Sequence, residues 1–271
     1  MRLSLSTNWC NRRLDSGEAI VDAALALGFE ELELGFHTSE EQVEGFRRRL
    51  DEMPVGSIHA FCPVPISAPC GYPELYQLAS FDEDARAIAR VQIVRNLRFA
   101  ASIGADTVVL HAGRVEFRSF LSFLNDRRRR RRGERMIEVF RREIELLAPE
   151  LEANRVTLAL ENMPYPEGFP NADEVAAVTS VNEWVKPWYD IGHGFVRGEM
   201  PPAGAVGVHV SDSEGGHDHL APGKGKIDFA ALRETIGSVR HVVFEPASTV
   251  TEDELREGIA FFRKSQLADG V

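Results

Sequence analysis

Residues 156–164 read Val156-Thr157-Leu158-Ala159-Leu160-Glu161-Asn162-Met163-Pro164. A run of β-branched and aliphatic residues closed by a carboxylate, an amide and a proline has the make-up of a parallel strand buried on both faces. Such a strand delivers Glu161 to its C-terminal rim. Segments of the same kind recur at 2–7, 31–35, 55–59, 106–111, 187–190, 205–210 and 241–245, with helical stretches between them. Eight strands alternating with helices predict an α/β fold: a single (β/α)8 TIM barrel over residues 1–271 with long βα loops at its C-terminal face.

The punctuation supports this reading. Ala89, Ile93, Leu97 and Ala100 recur at helical spacing, as do Ile137, Phe140, Ile144, Leu147 and Leu151, so each set forms a stripe that packs on a barrel wall. Gly28 and Gly104 stand where helices need a left-handed C-terminal cap before the next strand. An open doubly wound sheet uses the same alternation. However, Ser6-Thr7-Asn8-Trp9 follows the first strand in place of a glycine-rich fingerprint, and eight units favour closure. Three βα connections are long, at 60–81, 112–132 and 211–226. Loops of that length on the catalytic face can cover a substrate.

Asp and Glu number 42 against 31 Lys and Arg, a formal net charge of −11 that argues against non-specific nucleic-acid binding. Six of the positive charges form one run, Arg127 to Arg132, so the rest of the chain is more acidic still. The run is expected before a helix starting near Gly133. A solvated segment is its simplest reading, and a lid over a phosphorylated or acidic substrate, or a nucleic-acid backbone, is the functional alternative. Met1-Arg2-Leu3-Ser4-Leu5 alternates like a strand and lacks the apolar core of a signal peptide. No stretch approaches a membrane span. A cytoplasmic protein with no membrane partner is therefore expected, with Cys10, Cys62 and Cys70 as reduced thiols. A homo-oligomer is compatible with the sequence.

The chemistry concentrates at strand ends. Strand three ends in His59, four in His111, five in Glu161, six in Asp190, seven in His209 and eight in Glu245. These residue types make up roughly one residue in five of the chain, so six of eight strand ends exceeds what composition provides. Several carboxylates converging in a barrel mouth raise one another's pKa unless a cation neutralises them. Glu161, Asp190, His209 and Glu245 offer three carboxylates and an imidazole, a set suited to Mn²⁺, Mg²⁺ or Zn²⁺. His193 follows Asp190 by three residues, and His217 and His219 lie in the loop after strand seven. His59, His111, His193, His217 and His219 are thus candidate additional metal ligands.

The chain resembles the xylose isomerase-like barrels, a group that includes sugar isomerases and epimerases and endonuclease IV. The resemblance rests on Ser57-Ile58-His59-Ala60, Val109-Leu110-His111-Ala112-Gly113, Leu160-Glu161-Asn162, Asp190-Ile191-Gly192-His193, Val208-His209-Val210, His219-Leu220-Ala221-Pro222-Gly223-Lys224-Gly225-Lys226-Ile227-Asp228 and Phe244-Glu245-Pro246. In the isomerase and epimerase branch it implies one divalent ion on Glu161, Asp190, His209 and Glu245. Glu161 and Glu245 would be the acid/base pair working through a metal-stabilised enediolate, and His193 would bond a substrate oxygen. The substrate would be a sugar, sugar phosphate or inosose. In the endonuclease IV branch it implies up to three Zn²⁺ and cleavage of abasic nucleic acid. His59 and His111 would hold the first zinc, Glu161 would bridge the first and second, Asp190, His209 and Glu245 would complete the second, and His193 and His219 would serve the third. The remaining ligand of that branch, an aspartate, is replaced by His217, with Asp218 adjacent. A barrel that binds without turnover is the third class, and nothing in the sequence favours it.

Around this set, Asn8, Trp9, His37, Trp188 and Lys224 are candidate substrate contacts. The aromatics would wall a sugar's apolar face, the amide and imidazole would meet hydroxyls, and Lys224 in its Gly-Lys-Gly-Lys turn would meet a phosphate. Core packing is the equal alternative for Trp188, which faces the same side of its strand as Asp190.

Overall fold

A computed structural model describes residues 1–65, 71–115 and 126–267. Eight parallel strands close into a barrel: β1 (Ser4–Ser6), β2 (Glu31–Leu34), β3 (Val55–His59), β4 (Thr107–Leu110), β6 (Thr157–Glu161), β8 (Val185–Asp190), β9 (Gly207–Val210) and β10 (His241–Phe244). β1 pairs with both β2 and β10, which closes the ring. Two short strands, β5 (Gly113–Arg114) and β7 (Gly168–Phe169), pair antiparallel outside the barrel.

The helices between the strands are α1 (Gly17–Leu27), α2 (Glu40–Arg47), α3 (Glu83–Ser102), α4 (Asp126–Asn154), α5 (Ala172–Thr179), α6 (Ile191–Arg197), α7 (Arg233–Ser238) and α8 (Glu252–Ser265). The predicted stripe of α3 is fully buried. In α4, Phe140, Ile144, Leu147 and Leu151 are buried, and Ile137 packs at the margin of the core. Each fully buried aliphatic side chain contributes about 1.5–3 kcal/mol. Gly28 and Gly104 both adopt positive φ after their helices, as the capping argument requires. Among the described residues, no helix is long and apolar enough to cross a membrane. Cys10 and Cys62 are buried free thiols, and burial raises both, Cys10 to about 12; Cys70 lies outside the described residues.

The arginine run differs from expectation. It forms the first turns of α4, which begins at Asp126, as the good helix propensity of arginine allows. Arg129 is largely buried. It forms a fork to Glu174 (2.6 and 2.9 Å) and donates to the carbonyls of Pro166 and Gly168 (2.9 and 2.7 Å). Arg132 lies over the Phe81 ring, while Arg130 and Arg131 are exposed. Gly133 sits inside the helix, where a Cβ would overlap the Glu174 carboxylate. Gly133 thus marks a close approach of α5 to α4 and not a helix start.

Inward-facing positions follow the period of two. Ser57, Val109, Ala159, Trp188, Gly207 and Val243 lie one step below His59, His111, Glu161, Asp190, His209 and Glu245 on the same strands. Val109, Ala159, Trp188 and Val243 form an apolar plug inside the barrel. The Trp188 ring lies against Gly207, where a Cβ would overlap it, so glycine is required there by packing. Beneath the plug, Nε2 of His241 lies 2.9 Å from Asp106 and Nδ1 lies 3.7 Å from Glu31.

Burial pushes the His241 imidazole down, but the hydrogen bond and charge of Asp106, with Glu31, outweigh it and raise the pKa from 6.5 to about 9. A raised folded-state pKa stabilises the fold in full below the unfolded value, and that contribution disappears as pH climbs through the folded one. Wild-type stability in denaturant titrations should therefore fall from about pH 6 to 10, and His241→Gln should lessen that fall by on the order of 3 kcal/mol, the share of this one imidazole. Identical slopes in the two proteins would exclude the clamp.

Candidate metal centre at the barrel mouth

The other five strand-end residues gather around Glu161, which is buried and meets different partners with its two oxygens. Oε2 lies 3.1 Å from His59 Nε2 and 3.0 Å from His111 Nε2. Oε1 lies 3.2 Å from His209 Nδ1 and 3.4 Å from His193 Nδ1. His209 Nδ1 is also 3.1 Å from Glu245 Oε2 and 3.7 Å from Asp190 Oδ2.

Local structure orients each donor. Asp190 caps α6, with Oδ1 accepting the His193 amide at 2.6 Å. Its backbone is held by Asn162, whose Oδ1 accepts from Asp190 N at 2.7 Å and whose Nδ2 donates to Asp190 O at 3.1 Å. Asp190 Oδ2 is buried with no hydrogen-bond partner among the described residues, His209 Nδ1 standing 3.7 Å away. The imidazoles follow one pattern. In four of them a protein acceptor lies against one ring nitrogen: Ala60 O for His59 Nδ1 (3.0 Å), Asn162 O for His193 Nδ1 (2.9 Å), Glu245 O for His219 Nδ1 (2.9 Å) and Glu33 for His209 Nε2 (3.1 Å); His111 Nδ1 has only Glu74, at 3.8 Å. Those acceptors make the bonded nitrogen the donor, so the opposite nitrogen of a neutral ring carries a lone pair. In His59 and His209 that lone pair meets the oxygens of Glu161.

Lone pair against lone pair requires a cation between them. Protons supply it in part. Burial pushes Glu161 up, but His209 and His111 hold it well below the usual carboxylate range. Burial likewise opposes charge on His209, yet Glu245, Glu33 and Glu161 raise it well above 6.5, and His111 is raised to about 9, by Glu161 first. Asp190 is raised by burial. A divalent ion would replace those protons, and the donors fit one. Ligand atoms of Glu161, Asp190, His209 and Glu245 lie within 4.8 Å of one another, as do those of His59, His111 and Glu161, and those of Asp190, His193 and His219.

Other expected residues are placed differently. His217 is exposed and joins no donor group; Asp218 stands nearer, with Oδ2 at 3.7 Å from His193 Nε2. Trp9 is fully buried, its indole donating to Val250 O at 2.7 Å, because the turn after β1 rolls it behind the barrel rim. Trp188 does face inward but forms the plug one layer beneath the cluster, its ring edge against His209. Lys224 pairs with Glu257 on the surface at 2.9 Å. Asn8 donates to Glu245 Oε1 at 3.0 Å, and His37 lines the mouth.

Two lobes lead to the cluster. One, of about 190 Å³, holds His59, His111, Glu161 and His193 and is walled by Tyr72 and Arg114. Arg114 pairs with Glu74, donates to Tyr72 Oη at 2.7 Å and lies over the Tyr165 ring. The other, of about 180 Å³, holds Asn8, Arg12, His37 and Ser248; the two lobes share Phe36, His219 and Glu245.

Glu33 and Glu74 were not singled out in the sequence. Glu33 had a signal: Glu31-Leu32-Glu33-Leu34 alternates, which puts Glu33 on the barrel interior. It also accepts from Ser57 Oγ at 2.8 Å. Carboxylates behind a ligating histidine tune its basicity. Glu33→Gln should weaken divalent-metal affinity about 10- to 100-fold in chelator competition while preserving the fold by circular dichroism. Unchanged affinity would deny Glu33 that role.

A family model described as xylose isomerase-like TIM barrel matches residues 21–265. No curated protein matches the chain. Among solved structures, it is similar to 3-keto-D-glucoside 4-epimerase, YcjR, from E. coli (17% identity, 97% of this chain and 99% of that one, TM-score 0.76). It is also similar to D-psicose 3-epimerase from Clostridium cellulolyticum H10, solved with D-tagatose (16%, 99% and 100%, TM-score 0.73). A third is the IOLI protein with a binding zinc atom (14%, 98% and 96%, TM-score 0.71).

Proposed function

Since the chain belongs to the xylose isomerase-like TIM barrel family, we propose that it is a divalent-metal-dependent isomerase or epimerase of a small keto sugar or inosose. The observation that carries this reading is the placement of two glutamates against one nitrogen of one imidazole. Glu161 Oε1 and Glu245 Oε2 lie 3.2 and 3.1 Å from His209 Nδ1. The metal would be held by Glu161, Asp190, His209 and Glu245. Once bound, it would polarise the substrate carbonyl and stabilise the enediolate charge.

The chain's own residues supply the remainder. One glutamate removes the proton from the carbon beside the carbonyl and the other returns a proton, to the opposite face in an epimerisation. Asn8 anchors Glu245 through Oε1, while Oε2 of Glu161 faces His59 and His111. Each glutamate is thereby left with one oxygen turned to the cluster. His193, fixed by its bond to the Asn162 carbonyl, directs Nε2 toward the substrate's oxygens. The Tyr72–Arg114–Glu74 wall gives the mouth polar groups that suit a sugar's hydroxyls. Epimerases of keto sugars are among the similar structures.

In metal-loaded protein, Glu161→Gln and Glu245→Gln should each lower turnover about 10²- to 10⁴-fold and abolish deuterium uptake from D₂O into recovered sugar. Metal content measured on the same samples separates loss of the ion from loss of proton transfer. A wild-type enzyme that exchanges no carbon-bound hydrogen across ketoses, keto-glycosides and inososes would overturn the proposal.

A second reading has one observation in its favour. Three donor groups lie side by side, as a three-zinc phosphodiesterase of the endonuclease IV kind would need. Three zincs per chain together with cleavage of an abasic oligonucleotide would establish it; a single equivalent without cleavage would remove it.

A further inference from the structure

The loop that follows β9 is organised by a carboxylate that lines neither lobe of the mouth. Asp212 is buried, and its oxygens are met by backbone amides: Oδ1 accepts from Ser213 N at 2.8 Å and Ile227 N at 3.0 Å, and Oδ2 accepts from Gly223 N at 2.8 Å. Hydrogen bonds to an ionised acceptor are roughly twice as strong as neutral ones. Because those amides lie at both ends of the loop, one side chain ties its entry to its exit. The backbone repeats the tie: Asp212 N donates to Leu220 O at 2.8 Å, Leu220 N to Asp212 O at 3.0 Å and Lys226 N to Ser213 O at 2.9 Å. Glycine at 225 makes room for the carboxylate, since a Cβ there would overlap Asp212 Oδ1 and the Ser213 carbonyl. The Gly223-Lys224-Gly225-Lys226 turn thus serves Asp212 and not a phosphate.

What the tie secures is His219, the residue before Leu220. Its φ is 57°, in the left-handed region. A side-chain-bearing residue holds such a backbone at a cost on the order of 1–3 kcal/mol, and only where its surroundings over-determine it. They do so here from two directions: Leu220 is paired to Asp212, and Ala247 N donates to His219 O at 2.7 Å. The imidazole is thereby placed with Nδ1 2.9 Å from the Glu245 carbonyl oxygen, to which it must donate. Nε2 is the ring's remaining polar atom. His219 lines both lobes, edge-on to His193 with ring centroids 5.3 Å apart.

We propose that Asp212 is a positioning residue of the mouth. Through the amides of residues 213, 223 and 227 it holds the loop that presents His219 Nε2, at the junction of the two lobes, to an oxygen of the substrate. Glu161, Asp190 and His209 stand on barrel strands and Glu245 directly after one, so the metal set does not depend on this tie. The contact between His219 and a sugar oxygen rests on the isomerase reading. The dependence of His219 on Asp212 can be observed without any substrate.

The test uses two unlike disturbances in metal-loaded protein. Asp212→Asn keeps the shape and removes the charge, while Gly225→Ala keeps the charge and displaces the carboxylate; His219→Gln sets the scale. With ¹⁵N-labelled histidine, wild-type His219 should give a protonated, slowly exchanging Nδ1, identified by its disappearance in His219→Gln. Both loop variants should lose that signal while metal content and circular dichroism stay as in wild type. On a sugar that the enzyme turns over, each of the three substitutions should lower kcat/KM about 3- to 10-fold, chiefly through KM. Asp212→Asn added to His219→Gln should change it by less than about 2-fold, because the ring through which it acts is already gone. An undisturbed Nδ1 signal in both loop variants would overturn the proposal, as would losses that multiply in the double variant. Loss of the metal along with the signal would make Asp212 a general support of the barrel and overturn it too. Loss of the signal alone, in a protein that exchanges no carbon-bound hydrogen of any sugar, would retain the hold of Asp212 on His219 and reject the isomerase reading.

Discussion

The mouth of this barrel is governed by unshared electron pairs facing one another. Glu161 meets imidazole nitrogens whose other ring nitrogens are already committed as donors, to the Ala60 carbonyl in His59 and to Glu33 in His209. Nothing in the polypeptide except protons can occupy the space between them. A fold that places such groups in a buried layer incurs a large desolvation cost, and it is tolerable only because positive charge sits among them. The raised histidines and the depressed Glu161 are two expressions of one requirement, and a divalent cation satisfies it more completely than protons do.

That arrangement depends on the layers below it. The donors stand at the last inward position of their strands, one step above the Trp188 plug. Trp188 in turn depends on Gly207 having no side chain. Under the plug, His241 between Asp106 and Glu31 closes the other end with a charged triad. The barrel interior thus alternates polar, apolar and polar layers. The middle layer keeps water away from beneath the cluster, which strengthens every electrostatic interaction above it.

Charge is also apportioned with care around the mouth. Glu74 neutralises Arg114 on one side, Glu174 takes Arg129 away from the rim, and Glu257 holds Lys224 at the surface. Arg12 alone among the arginines at the two lobes is left facing the cleft without an acidic partner among the described residues.

The sequence by itself determined the alternation of strand and helix, the eight-fold count, the caps at Gly28 and Gly104, and the identity of the six strand-end donors. Each of these is written in local periodicity or in the last residue of a strand, and neighbours along the chain decide them. Tertiary structure decided depth and partnership. A period of two says that Trp188 faces inward like Asp190, but not that it lies one layer down, in the plug. Alternation likewise put Glu33 inside, but only strand curvature set its distance from His209, 176 positions away. Trp9, Lys224 and Arg129 differ from expectation for the same reason. A rim position fixes where the backbone is, while the direction of a side chain follows from which distant group claims it: Val250 for Trp9, Glu257 for Lys224, Glu174 for Arg129.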